Sequence, residues 1–129
     1  MNGMGLACVV GLGGAAGTLL RYGIGRWVTA RGRHSVLGTL IANLAGSLAM
    51  GVLIGIGLEE RQASAYALAG IGFLGGLTTY STLNVQKASL FRGGGRSKAL
   101  LAWYVTATYA GGFALTAAGV GIGCFVGRQ

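Results

Sequence analysis

The sequence predicts an all-α membrane protein with four spanning helices, the third of them broken. Three observations carry that prediction. Of 129 residues, 53% are hydrophobic and only 9% are charged, with a mean hydropathy of +0.65. Soluble domains carry roughly 25% charged residues, so this chain has too few to cover a water-facing surface. Its apolar residues fall into four runs, each long enough for the roughly 20 residues that a bilayer crossing needs. The third run is interrupted at its middle by GFLGGLTTYSTLN, residues 72–84. Disorder is excluded by the high hydrophobicity. Collagen is excluded because the 27 glycines have no three-residue period and proline is absent. The four runs use nearly the whole chain, so residues 1–129 read as a single transmembrane domain.

The first span covers about residues 4–27, with Arg21 and Arg26 in its last turns. It lacks a basic leader and a clear cleavage site before Arg21, so it reads as a span and not as a signal peptide. A basic loop, ARGRHS, follows at residues 30–35. The second span, about 36–58, carries no charge, and Glu59, Glu60 and Arg61 form a short turn after it. The third span, about 63–91, is predicted to break near residues 75–79. Glycine and β-branched threonine both weaken a helix there. Unwound backbone at membrane depth must be buried in protein or line a polar cavity. Thr78, Thr79, Ser81 and Thr82 add hydroxyls at the same point. The RGGGRSK stretch at residues 92–98 reads as a flexible basic loop, and the fourth span covers about 99–126.

Small residues recur four apart: Gly13 and Gly17 with Gly25, Gly51 with Gly55, and Gly119, Gly123 and Gly127. Such ridges let helix backbones approach closely in lipid, and they are read as packing. Cys8 and Cys124 read as buried, unpaired thiols, because no CxxC or Cys/His cluster is present.

Polar residues inside the spans form two tracks. Thr39, Asn43 and Ser47 share one face of the second helix. Asn43 is either interhelical glue or a pore-facing donor, and the residues alone leave both readings open. Tyr104, Thr108 and Thr116, with Gly112 between them, fall at intervals of four and give the fourth helix a polar stripe. No Asp or Glu lies inside a span, and the one histidine, His34, sits in a loop. No set of residues suits enzymatic chemistry. A proton-coupled exporter needs a titratable group within the membrane, which argues against a small multidrug-type four-helix exporter, the alternative reading. The convergent groups are hydroxyls, amides and backbone. Neutral donors suit an anion that must shed water and then leave.

The segments GAAGTLLR (residues 14–21), GTLIANLAGS (38–47) and GFLGGLTTYSTLN (72–84) resemble those of the small fluoride channels of the CrcB/Fluc family. The resemblance extends over all four spans. It implies four-helix subunits paired as an antiparallel dimer with two anion pores. It implies that Asn43 is the pore asparagine and Arg21 the structural arginine of the first helix. It implies a structural sodium ion held by the backbone carbonyls of Gly75 and Thr78. Ser81 and Thr82 then match the family's hydroxyls after the break, and Tyr104, Thr108 and Thr116 match its polar track. Where the family reads TTFSTF, this chain has Tyr80 and Leu83 at the two phenylalanines, and Gln86 at a glutamate that usually follows. Tyrosine keeps a ring edge for an anion, and leucine has none.

Charge also sets an orientation. Arg26, Arg31, Arg33, Arg92, Arg96 and Lys98 flank the first and third loops, against Arg61 and Arg128 on the other side. The positive-inside rule places both termini outside a prokaryotic plasma membrane. The basic residues are assigned to lipid head groups and topology, not to nucleic acid. The expected partners are fluoride, the bilayer, and either a second copy or an oppositely oriented paralogue.

Overall fold

The computed structural model describes residues 2–129. Among them the regular structure is entirely helical. Helix α1 is Gly3–Ala30 and α2 is Ser35–Gly55. Two short helices follow, α3 at Leu58–Arg61 and α4 at Ala63–Tyr66. A π-helical stretch, Ala67–Leu74, leads into α5 at Gly75–Leu77. Then come α6, Ser81–Phe91, and α7, Gly95–Gly127. By length and composition α1, α2 and α7 are each able to cross a membrane. The region predicted as the third span is divided, and no single helix within it is that long.

Most boundaries lie within a few residues of expectation, and the differences have local causes. Helix α1 is capped by Asn2, whose side chain accepts from the Gly5 N–H at 2.9 Å. His34 is the N-cap of α2, where its Nδ1 accepts from the Val36 N–H at 3.4 Å. The second span stops at Gly55 and not at residue 58, because Gly57 turns the chain with φ +66°. The basic loop before the last helix is shorter than expected, since α7 already begins at Gly95. Cys8 and Cys124 are free thiols but exposed on the single chain, contrary to the expected burial.

Glycine ridges set the helix spacing. A Cβ built on Gly51 would meet the Thr116 carbonyl, and one on Gly55 the Val120 carbonyl. From the other side, a Cβ on Gly119 would lie 2.9 Å from the Val52 nitrogen and 3.0 Å from the Gly51 Cα. Helices α2 and α7 therefore touch backbone to backbone. The same holds between α1 and the segment formed by the π-helical stretch and α5. There a Cβ on Gly72 would lie 3.1 Å from the Gly13 Cα, and one on Gly76 3.0 Å from the Gly14 Cα. Such contact maximises dispersion attraction where water supplies no driving force.

Two small apolar clusters fill the remaining space. One holds Val36, Leu40, Leu83, Leu90 and Tyr104, and the other Ala42, Leu74 and Leu77. Large apolar side chains such as Leu12, Tyr80, Phe113 and Phe125 stay outside.

Gly119→Ala is expected to destabilise the protein in detergent by about 1–3 kcal/mol through overpacking against α2. Gly121→Ala, with nothing within 4 Å of its added Cβ, serves as the control. Thermal unfolding followed by circular dichroism distinguishes them, and equal midpoints would refute the role assigned to the ridge.

Candidate functional site

The helical path breaks at Thr78–Tyr80. Thr78 takes an extended conformation, φ −81° and ψ 156°, and ends α5. Its N–H and its Oγ1 both donate to the Leu74 carbonyl at 3.0 Å, which closes the last turn. In an unbroken helix the Thr79 N–H would donate to the Gly75 carbonyl. Instead it donates to Asn43 Oδ1 at 2.8 Å, and Asn43 Nδ2 donates to the Thr79 carbonyl at 3.0 Å. One amide side chain thus satisfies both backbone groups of a residue that no helix serves. Among the described residues, no hydrogen bond reaches the Gly75 or Thr78 carbonyl oxygen.

The start of α6 is organised by the same residue. Thr79 Oγ1 accepts from the Thr82 N–H at 3.3 Å, as a capping hydroxyl does. It also lies 3.2 Å from Thr82 Oγ1 and 3.4 Å from Ser81 Oγ. Three of the four hydroxyls predicted at the break, those of Thr79, Ser81 and Thr82, therefore meet there, whereas that of Thr78 is turned back to Leu74, and Asn43 joins the cluster through the Thr79 backbone. Gly46 makes room for this arrangement, because a Cβ there would collide with Thr78 Cγ2.

Open grooves run along the polar face of α2. One, of about 480 Å³, is lined by Thr18, Arg21, Arg26, Thr39, Thr79, Thr82 and Gln86. A second, of about 390 Å³, holds Gly46, Ser47, Gly75, Thr78 and Thr116. A third, of about 290 Å³, is lined by Ser47, Thr108, Tyr109, Gly112, Phe113 and Thr116. Thr39 lines the first of these and Ser47 the other two, while Asn43, between them on α2, is engaged with the Thr79 backbone.

The sequence-predicted residues do not all open onto these grooves in the single chain. Tyr104 is completely buried, and its hydroxyl donates to Gln86 Oε1 at 2.8 Å. Leu83, expected on an anion wall, is 3% exposed and packs in the core beside Val36 and Leu40. The packing of α6 against α2 and α7 explains this. Leu83 lies inside α6, on the face packed against Val36, Leu40 and Tyr104, whereas Tyr80 precedes the helix at the break and stays 67% exposed. Thr108 Oγ1 donates to the Tyr104 carbonyl at 2.7 Å, and Thr116 Oγ1 to the Ser47 carbonyl at 3.4 Å. Both line the third groove.

One residue escaped the sequence reading. Lys87 on α6 places Nζ 3.4 Å from the Tyr109 hydroxyl and 5.7 Å from the centroid of the Tyr80 ring. It is the only charged residue between Arg61 and Arg92, and that isolation was the available signal.

Residues 8–120 match the family model described as CrcB-like protein, Camphor Resistance (CrcB). Among curated relatives, the Fluoride-specific ion channel FluC of Pseudomonas putida is 40% identical over 120 residues, 91% of this chain and 95% of the relative. The Fluoride-specific ion channel FluC 1 of Geobacillus kaustophilus is 38% identical over 114 residues, 88% of this chain and 94% of the relative. The Fluoride-specific ion channel FluC 2 of Rhodococcus jostii is 45% identical over 84 residues, 65% of this chain and 70% of the relative. With a model match across most of its length and relatives at this identity, the chain belongs to the CrcB family.

Proposed function

We propose that this protein is a fluoride channel subunit that lets fluoride leave the cell passively. The observation that carries the reading is the broken helix, pinned open by Asn43 and rimmed by the hydroxyls of Thr79, Ser81 and Thr82. Its support is membership of a family whose curated members are named fluoride channels. Neutral donors at a gap in the backbone can replace part of an anion's hydration shell without holding it irreversibly. No carboxylate in this region is available to run a proton cycle, which disfavours the exporter reading.

Four crossings follow if α4, the π-helical stretch, α5 and α6 act as one composite span. Its 29 residues, 63–91, would reach about 40 Å at helical rise. The working unit is an antiparallel dimer, in which the grooves along α2 and α7 are completed by a second subunit. The carbonyls of Gly75 and Thr78, which accept no hydrogen bond, suit a structural sodium ion. A hard cation takes oxygen ligands, and such an ion would fix the two breaks against each other. Arg21 lines the groove with Thr39 and Thr79, where its charge favours anion entry.

The six-to-two loop charge supports a single orientation with both termini outside the plasma membrane. A dimer of identical chains would need half of them inserted against that bias. The partner that fits best is therefore an oppositely oriented paralogue, which would also bring its own aromatics to the pore. Relatives named FluC 1 and FluC 2 accord with paired paralogues.

Fluoride efflux from liposomes, read with a fluoride electrode, tests the channel reading. Efflux well above protein-free liposomes is expected with the partner present, and little with this chain alone. No efflux in either composition refutes the channel. Strong efflux from the chain alone refutes the need for a paralogue.

Asn43→Ala removes both bonds to Thr79. A cost of about 1–3 kcal/mol is expected, with efflux at least about tenfold lower. Wild-type efflux in this variant would remove Asn43 from the pore.

Thorough removal of sodium is expected to lower fluoride efflux, and unchanged efflux would exclude the sodium site.

Cysteines introduced singly as Ser35→Cys and Ser97→Cys are expected to label only from the cytoplasmic side, in a background lacking Cys8 and Cys124. Comparable labelling from both sides would refute a single orientation.

A further inference from the structure

Lys87 sits between the two polar regions described above. On one side is Tyr80, part of the helix break, with its ring centroid 5.7 Å from Nζ. On the other is Tyr109, whose ring centroid is 5.6 Å away and whose hydroxyl is 3.4 Å away. Tyr109 also lines the α7 groove with Thr108, Gly112 and Thr116. The ammonium is thus clamped at the junction of the break and that groove, in a half-buried position.

No acid of the chain can neutralise it. Glu59 and Glu60, the only two acids, lie in α3. That helix is tied to the C-terminal end of α7, where Arg61 donates to the Gly127 carbonyl at 3.3 Å. Gly127 is eighteen residues from Tyr109 along one unbroken helix, about 27 Å. The tyrosine hydroxyl accepts one hydrogen of the ammonium and leaves two to be satisfied. The Tyr80 ring, with its centroid 5.7 Å away, adds a weak cation–π attraction but accepts no strong hydrogen bond. An unpaired cation on a membrane-embedded surface needs a water-filled cavity or a counter-ion.

We propose that the Lys87 ammonium, positioned by Tyr80 and Tyr109, is a binding site for the small monovalent anion on its way between the helix break and the α7 groove. The site rests on the channel reading and adds a charge where the path passes from the break to the neutral donors of the α7 groove. Its field concentrates anions at the junction and repels cations. Because Tyr109 meets the ammonium through its hydroxyl and Tyr80 through its ring, the anion approaches Nζ on the side that neither covers.

The test is fluoride efflux from liposomes of neutral phospholipid, with the full-length chain in the composition, alone or with partner, that conducts. Lys87→Gln is expected to lower initial efflux at low fluoride about tenfold, from Coulomb attraction over several ångströms at an intermediate dielectric. The deficit should shrink in a high concentration of impermeant salt, which screens the charge. Lys87→Arg should restore most of the lost efflux. Lys87→Cys, on a background of Cys8→Ala and Cys124→Ala, avoids the question of folding. After assembly, an aminoethyl thiol reagent that restores a positive charge should raise efflux, and a neutral reagent of similar size should not. The inference is overturned if Lys87→Gln conducts like wild type at low fluoride. It is overturned equally if both thiol reagents act alike, or if Lys87→Arg is as impaired as Lys87→Gln. Wild-type protein that passes no fluoride in any composition fails the channel reading first, and this site with it.

Discussion

A helix interrupted inside a membrane leaves backbone donors and acceptors that lipid cannot satisfy, and the rest of this structure depends on how that demand is met. Here one side chain meets it at Thr79. Asn43 accepts from the N–H and donates to the carbonyl of the same residue. The task needs a donor and an acceptor on one short planar group. An aspartate would lack the donor, and a leucine both. Because Thr79 is held by its backbone, its hydroxyl is left for the first turn of α6, where it meets Thr82 and Ser81. Asparagine is thus interhelical glue, and by holding the Thr79 backbone it also organises the hydroxyls at the break.

That pairing holds only if α2 and the broken segment are fixed relative to each other. The glycine ridges provide the fixation. Gly51 and Gly55 seat α2 on α7, and Gly72 and Gly76 seat the broken segment on α1. Gly46 lets Thr78 come within reach, so that its neighbour Thr79 faces Asn43. Polar groups at the break are then presented by rigid elements, which an anion path with few donors requires. Outside these contacts the chain keeps large apolar side chains exposed, as a protein solvated by lipid does.

Much of this is legible in the sequence because it depends on local rules. The GGLTT run announces the break, and the observed gap at Thr78–Tyr80 overlaps the expected residues 75–79. Gly75–Leu77 remains a helical turn because the Thr78 side chain and backbone close it on Leu74, a detail composition does not encode. The ridges at Gly51/Gly55 and Gly119/Gly123 are visible as spacing, although not which ridge meets which. The π-helical winding of Ala67–Leu74 carries no such mark. The bond from Asn43 to Thr79 joins residues 36 apart and is set by tertiary packing. Resemblance points Leu83 to an open path and the four-residue spacing of the last helix points Tyr104 there, but the packing of α6 against α2 and α7 buries both in the single chain. Lys87 was passed over because charge was counted in loops, whereas its meaning comes from the two tyrosines around it.

The central claim is that the Asn43 amide replaces the missing helical bond of Thr79. Solid-state NMR of the protein in bilayers measures this directly, through dipolar recoupling between the Asn43 side-chain nitrogen and the Thr79 carbonyl carbon. The account predicts a strong contact, in keeping with an N···O separation of 3.0 Å, and a non-helical carbonyl shift at Thr78. Helical shifts continuing through residues 78–80, with no contact from Asn43, would contradict it.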